Sequence, residues 1–203
     1  IGYVSYNVAP GWHIYKPLRD AFRLMIPEHY GPAVRVEMAR ELLVLMQQQS
    51  PDQGPYGDML RGSPSRFAKL PSDYIFHEYM EDSNDPVTIR DFIDDAEKAG
   101  LVYLADSDLS YLLPENFGPE FARQIRERTS GDLVTIEQMI DVMTGRTFRS
   151  TLLVPKPQLG NINRGLSPKR IEGLHFQAGY GMTIERDGAK VTLSDSAGRT
   201  MSS

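Results

Sequence analysis

The chain alternates between stretches with a helical rhythm of apolar positions and short apolar runs bounded by turn residues. Ile1 to Tyr6 reads as a β-strand, stopped at Asn7 and turned at Pro10-Gly11 before the aromatic pair Trp12-His13. Pro17 stands where a helix can begin, and Leu18, Phe22 and Met25 recur on one side of it. Ala33 to Gln49 is the firmest helix. Met38, Leu42, Leu45 and Met46 line one side, while Arg35, Glu37, Arg40 and Glu41 fall largely elsewhere. Ser50 to Gly57 is a loop by its Pro and Gly content, and Met59 to Leu70 is broken by Gly62 and Pro64.

Ser72 or Asp73 caps a short helix carrying Tyr74, Ile75, Phe76, His77, Tyr79 and Met80. Pro86 to Ala99 is amphipathic, with Ile89, Phe92, Ile93 and Ala96 inward and Gly100 as its C-cap. Leu101 to Leu104 reads as a short buried strand. A helix runs from Pro119 to about Thr129, and another from Leu133 to Met143. The character then changes: Thr147 to Val154 and Leu174 to Gln177 are strand-like, and Met182 to Leu193 alternates around the turn signal Asp187-Gly188. Ser194 to Ser203 is polar and expected to fray. The order predicts an α+β, mainly helical fold: a bundle-like helical block flanked by an N-terminal strand and C-terminal strands with a hairpin. A strand at the first residue, without Met, reads as the remnant of a larger sheet.

At 203 residues, 40% hydrophobic and 24% charged, the chain has the composition of a globular protein. It has no Cys, so disulfides, thiolate zinc sites and cysteine nucleophiles are excluded. That usage fits a cytoplasmic location. The densest apolar run, Leu42 to Met46, is far too short for a membrane span. The net charge of −5 is unevenly placed. Ser72 to Glu120 holds thirteen acidic residues against Arg90 and Lys98, whereas Arg146 to Lys190 is net basic. The bland reading, an acidic solvated face paired with a basic neighbour, outweighs steering of a basic partner. The basic residues lack interleaved aromatics, which argues against nucleic-acid binding.

Candidate chemistry is sparse. Gly179-Tyr-Gly181 leads into a hairpin rather than a helix, so it cannot cradle phosphate, and no P-loop occurs. No G-x-S-x-G elbow supports a serine hydrolase. His77-Glu-Tyr-Met-Glu81 puts two ligands on one helical face but supplies no second local His. Asp73, Glu78, Glu81, Asp82 and Asp85 crowd near Tyr74, Phe76 and Tyr79, a composition suited to a Lys ammonium, although core aromatics with surface acids is the commoner arrangement.

Read together, "GYVSYNVAPGWH", "PLRDAF", "DYIFHEYMEDSNDPV", "GLVYLADSDLSYLLPEN" and "RTFRSTLLV" resemble the predicted methyltransferase regulatory domain of bacterial class I S-adenosylmethionine-dependent methyltransferases, including rickettsial protein-lysine methyltransferases. The resemblance covers roughly residues 1 to 178. It implies that residues 1–13 are a strand and linker from a methyltransferase sheet, 14–146 a helical regulatory domain and 147–203 a small β-rich segment. It implies no catalytic, cofactor or metal residue in this chain, and S-adenosylmethionine bound by a cofactor domain upstream in cis. The chain alone is then inactive. The expected substrate or effector face, for a basic protein or peptide, is Tyr74, His77, Glu78, Glu81 and Asp82. The expected interdomain hinge is Asn7, Trp12 and His13. Two other readings stand beside it: a metal-dependent or hydrolytic enzyme using His77 and nearby acids, and an interaction module that forms a homodimer.

Overall fold

The computed structural model describes residues 1–164, 169, 183–188, 190–194 and 200–202. The strand expected at Leu174 to Gln177 lies outside them. Residues Ile1–Ile162 form one compact unit and Asn163–Ser203 a second. The fold is α+β and mainly helical.

In the first unit, strand β1 (Gly2–Asn7) leads through a 3-10 turn (Gly11–Tyr15) into four helices. These are α1 (Lys16–Met25), α2 (Pro32–Gln48), α3 (Pro55–Phe67) and α4 (Ser72–Tyr79). They enclose a core of Leu18, Phe22, Val36, Leu43, Leu60, Phe67, Ile75 and Tyr79. Two apolar stripes each depart from expectation at one residue. On α2 the buried line is Val36, Ala39 and Leu43, with Leu45 55% exposed. On α1 the buried line is Leu18, Arg19 and Phe22, while Met25 faces solvent and Ile26 takes its place in the core. The other expected residues hold: Leu18 and Phe22 are in the core, and Met38, Leu42 and Met46 pack half-buried against it. Helix α3 runs unbroken through Gly62 and Pro64, because packing on α2 outweighs the local cost of Pro. Within it, the Ser63 hydroxyl donates to the Met59 carbonyl at 2.7 Å.

The chain continues as α5 (Ile89–Lys98), β2 (Leu101–Asp106), a 3-10 turn (Pro114–Phe117), α6 (Pro119–Thr129), α7 (Leu133–Thr144) and β3 (Phe148–Pro155). Helix α5 starts three residues later than its Pro suggests, since the Thr88 hydroxyl accepts from the Asp91 N–H as the N-cap. Val87 is thereby free to bridge Val8 in parallel. Asp132 caps α7 in the same way. Helix α4 has no side-chain cap; Ser72 is already its first residue and Pro71 precedes it.

The sheet has the order β1-β3-β2, with β3 antiparallel to both neighbours. Gly2 pairs with Leu153 and Asn7 with Phe148, so the first strand closes onto the last strand of the unit. Helices α5 and α7 pack on one face: Tyr6 stacks on Phe92 at 4.0 Å, and Tyr103 reaches Glu137. The outer edge of β1 from Gly2 to Tyr6 has no strand beside it among the described residues.

The second unit contains the expected hairpin, β4 (Thr183–Asp187) and β5 (Lys190–Ser194), with Asp187 paired to Lys190 and Gly188 at φ 59°. Thr200–Ser202 forms β6 on the far side of β5 rather than fraying, because its backbone pairs from Thr192 to Ser194.

Candidate functional site

The two groups expected to be separate, the acidic face and the hinge, meet at one carboxylate. Glu78 Oε1 accepts the Trp12 indole N–H at 2.6 Å and the Asn7 amide N–H at 2.5 Å. The same Asn7 amide donates to Asn84 Oδ1 at 2.8 Å, and Asn84 donates back to the Glu78 carbonyl at 2.6 Å. Two amides, an indole and a carboxylate thus close a ring between the exit of β1 and the C-terminal end of α4. Hydrogen bonds to a carboxylate are charge-assisted and stronger than neutral ones. Trp12 is 3% exposed and stacks on Tyr79 at 6.3 Å. His13, beside it, is exposed and joins no part of the ring.

The five residues expected to share a substrate face divide three ways. Glu78 turns inward to Trp12. Asp82 pairs with Arg23 at 3.1 Å. His77 and Glu81 form an exposed pair at 3.0 Å, and Tyr74 lies 43% exposed near Glu78. Partial burial raises the Tyr74 hydroxyl pKa, and the Glu78 charge adds to the shift. Among the described residues no group of three or more His, Asp or Glu is placed to hold a metal.

A second constellation, unmarked in the sequence reading, lies between the sheet and α7. Arg149 is fully buried on β3. It grips Asp141 through Nε at 2.7 Å and Nη2 at 3.1 Å, and its Nη1 donates to Asp106 at 3.0 Å and Glu137 at 2.9 Å. Arg146 adds a bond to Asp106 at 3.0 Å, and the Tyr103 hydroxyl donates to Glu137 at 2.6 Å. Burial raises the Glu137 carboxyl, against the hydrogen bonds from Tyr103 and Arg149 that pull it down. Burial also pushes up the Tyr103 hydroxyl. Here the acidic middle of the chain meets its basic successor: Asp106 belongs to one, Arg146 and Arg149 to the other.

The turn after β1 joins these constellations. A Cβ on Gly11 would stand 2.1 Å from the Arg146 carbonyl oxygen and 2.3 Å from that of Gly145. The backbone therefore lies against the C-terminus of α7, and only Gly fits.

Residues 71–155, from α4 through β3, match the predicted methyltransferase regulatory domain. This stretch belongs to that family. The regulatory domain match includes Glu78 and the whole Arg149 cluster, whereas Asn7, Gly11 and Trp12 lie outside it. The chain is also similar to uncharacterized protein RP789 of Rickettsia prowazekii (strain Madrid E), with 30% identity over 154 residues, 75% of this chain and 28% of that protein. A second similarity, to uncharacterized protein RP028 of the same organism, has 23% identity over 99 residues and covers 48% of this chain and 40% of that protein. Among solved structures, PKMT2 from Rickettsia typhi in complex with AdoHcy superimposes with a TM-score of 0.69 at 25% identity, covering 94% of this chain and 37% of that one. The chain thus spans well under half the length of each of these relatives.

Proposed function

We propose that this chain is a regulatory or substrate-recognition part of an S-adenosylmethionine-dependent methyltransferase, and that a cofactor-binding domain in cis carries the chemistry. The observation that supports this best is β1. Gly2-Tyr-Val-Ser-Tyr carries no charge and no Pro, and no strand pairs with its outer edge among the described residues. Edge strands that stay exposed are normally blunted by charge, Pro or a bulge. An unprotected edge suits a strand that continues into a larger sheet, with residues 14–146 hung from its exit as the regulatory unit. The relatives' greater length and the PKMT2 complex with AdoHcy are consistent with that arrangement.

In this reading the Glu78 ring couples the strand exit to α4, and the exposed Tyr74, His77 and Glu81 remain as the surface for a basic peptide or protein. Isothermal titration of the isolated chain with S-adenosylmethionine gives no binding at millimolar concentration if the reading is right. Micromolar binding, or methyl transfer by the chain alone, would overturn it.

A further inference from the structure

Helix α3 keeps a glycine where the helix itself would be better served by alanine. Gly62 lies in the helix interior, where Gly costs more backbone entropy than Ala. It is not in the left-handed region, and a Cβ built on it would meet nothing within 4 Å. Neither backbone strain nor crowding explains it. The missing side chain instead leaves a notch in an open groove of about 450 Å³. One wall is a single face of α3, where Pro55, Met59, Gly62 and Arg66 recur at helical spacing. The other is Ile14 and Tyr15 of the 3-10 turn, and Ile14 is 44% exposed.

Arg66 closes one end of this groove, its guanidinium carbon 3.9 Å from the centre of the Tyr15 ring. The side chain makes no ion pair and no hydrogen bond with any described residue. Of its three nitrogens only Nη1 is sealed from solvent; Nε and Nη2, equally unbonded, keep their contact with it. The acid in the groove, Asp58, is held by Arg61 at 2.5 Å. It stands about 12 Å along the helix axis from Arg66. The groove therefore has apolar walls and an uncommitted cation at one end.

We propose that it binds an apolar monocarboxylate of the alkanoic or arylalkanoic acid class, the carboxylate on Arg66 and the tail laid over Gly62 toward Met59. That path is about 10 Å long. The Tyr15 ring fixes the plane of the guanidinium, so the fork is set before a carboxylate arrives. A phosphate-like dianion would leave the apolar walls unused and meet one cation only. An uncharged apolar ligand would leave Arg66 unmet. The site lies wholly within residues 14–66 and stands whether or not the preceding reading holds.

The test is titration of the chain, by calorimetry and thermal shift, with hexanoate, octanoate and 3-phenylpropanoate. The amide of the best binder and acetate complete the series. At least one acid binds and raises the melting temperature, while its amide and the tail-less acetate each bind about tenfold more weakly or worse. Gly62→Leu fills the notch with a good helix former, so the melting temperature holds or rises while the acid weakens about tenfold or more. Arg66→Met removes the charge, and acid and amide then bind alike. Equal binding of acid and amide to the unaltered chain would make this an apolar groove only and end the proposal. Unchanged affinity for the acid in Gly62→Leu, or no binding of any of the three acids, also overturns it. Should Arg66→Met not fold, the acid and amide on the unaltered chain still decide the question.

Discussion

Trp12 and Glu78, 66 residues apart, are joined by a 2.6 Å hydrogen bond from indole to carboxylate. Through it the end of a strand and the end of a helix hold each other's orientation. Neither group can be removed without stranding the other in a half-buried site.

Glu78→Ala leaves the Trp12 N–H and the Asn7 amide without their acceptor. The expected loss is about 2 kcal/mol in urea unfolding. Glu78→Gln keeps an acceptor oxygen and costs less than about 1 kcal/mol. Equal losses for the two variants would mean that the hydrogen bonds contribute little and that packing dominates.

Arg149→Met removes the one cation that contacts Asp106, Glu137 and Asp141 together. Three buried carboxylates then face each other, and destabilisation of about 3–5 kcal/mol follows. Adding Glu137→Gln and Asp141→Asn to the same variant recovers part of the loss. A triple variant no more stable than Arg149→Met alone would show that the cost is steric.

Glu137 has a pH signature. Burial raises its pKa in the fold above the ordinary 4.5. A carboxyl that holds its proton more tightly when folded contributes stability below pH 4.5, and the contribution is lost as pH rises through the folded value. Measured against Glu137→Gln, the parent protein therefore loses stability as pH rises from 4.5. Unfolding midpoints across pH 4 to 8 read this directly. A relative gain over that range would mean that Arg149 keeps Glu137 ionised.

Tyr79 is fully buried among Trp12, Phe22 and Phe67, and its hydroxyl has no acceptor or donor among the described residues. Tyr79→Phe removes an unpaired polar group and keeps the ring. Stability is expected to stay level or rise by up to about 1 kcal/mol. A loss larger than that would reveal a bonded water in the core.

The helices and strands were legible in the sequence wherever apolar periodicity ran uninterrupted, as on α6 and α7. Periodicity located α1 and α2 and most of their inward residues; it failed at Met25 and Leu45, which satisfy the same spacing as the residues that are buried. Pro64 looked like a break, since local propensity carries no knowledge of α2 packed alongside. Glu78 and Trp12 each stand out in the sequence, yet nothing in a linear reading says that they touch. The Arg149 cluster could have been found from pattern alone. Arg149 alternates in phase with Leu153 on β3, and Glu137 and Asp141 lie beside Ile136 and Ile140 on α7. Charged residues on two buried faces, opposite in sign, are the signal.

The outer edge of β1, without a neighbouring strand among the described residues, also bears on how this protein is handled at the bench. Its backbone N–H and C=O groups are a template for any passing strand, and the nearest one in a concentrated sample is the β1 of another molecule. The isolated chain is therefore expected to self-associate through these six uncharged residues. A Lys placed at Tyr3 or Ser5 should keep it in solution longer without touching the helical core.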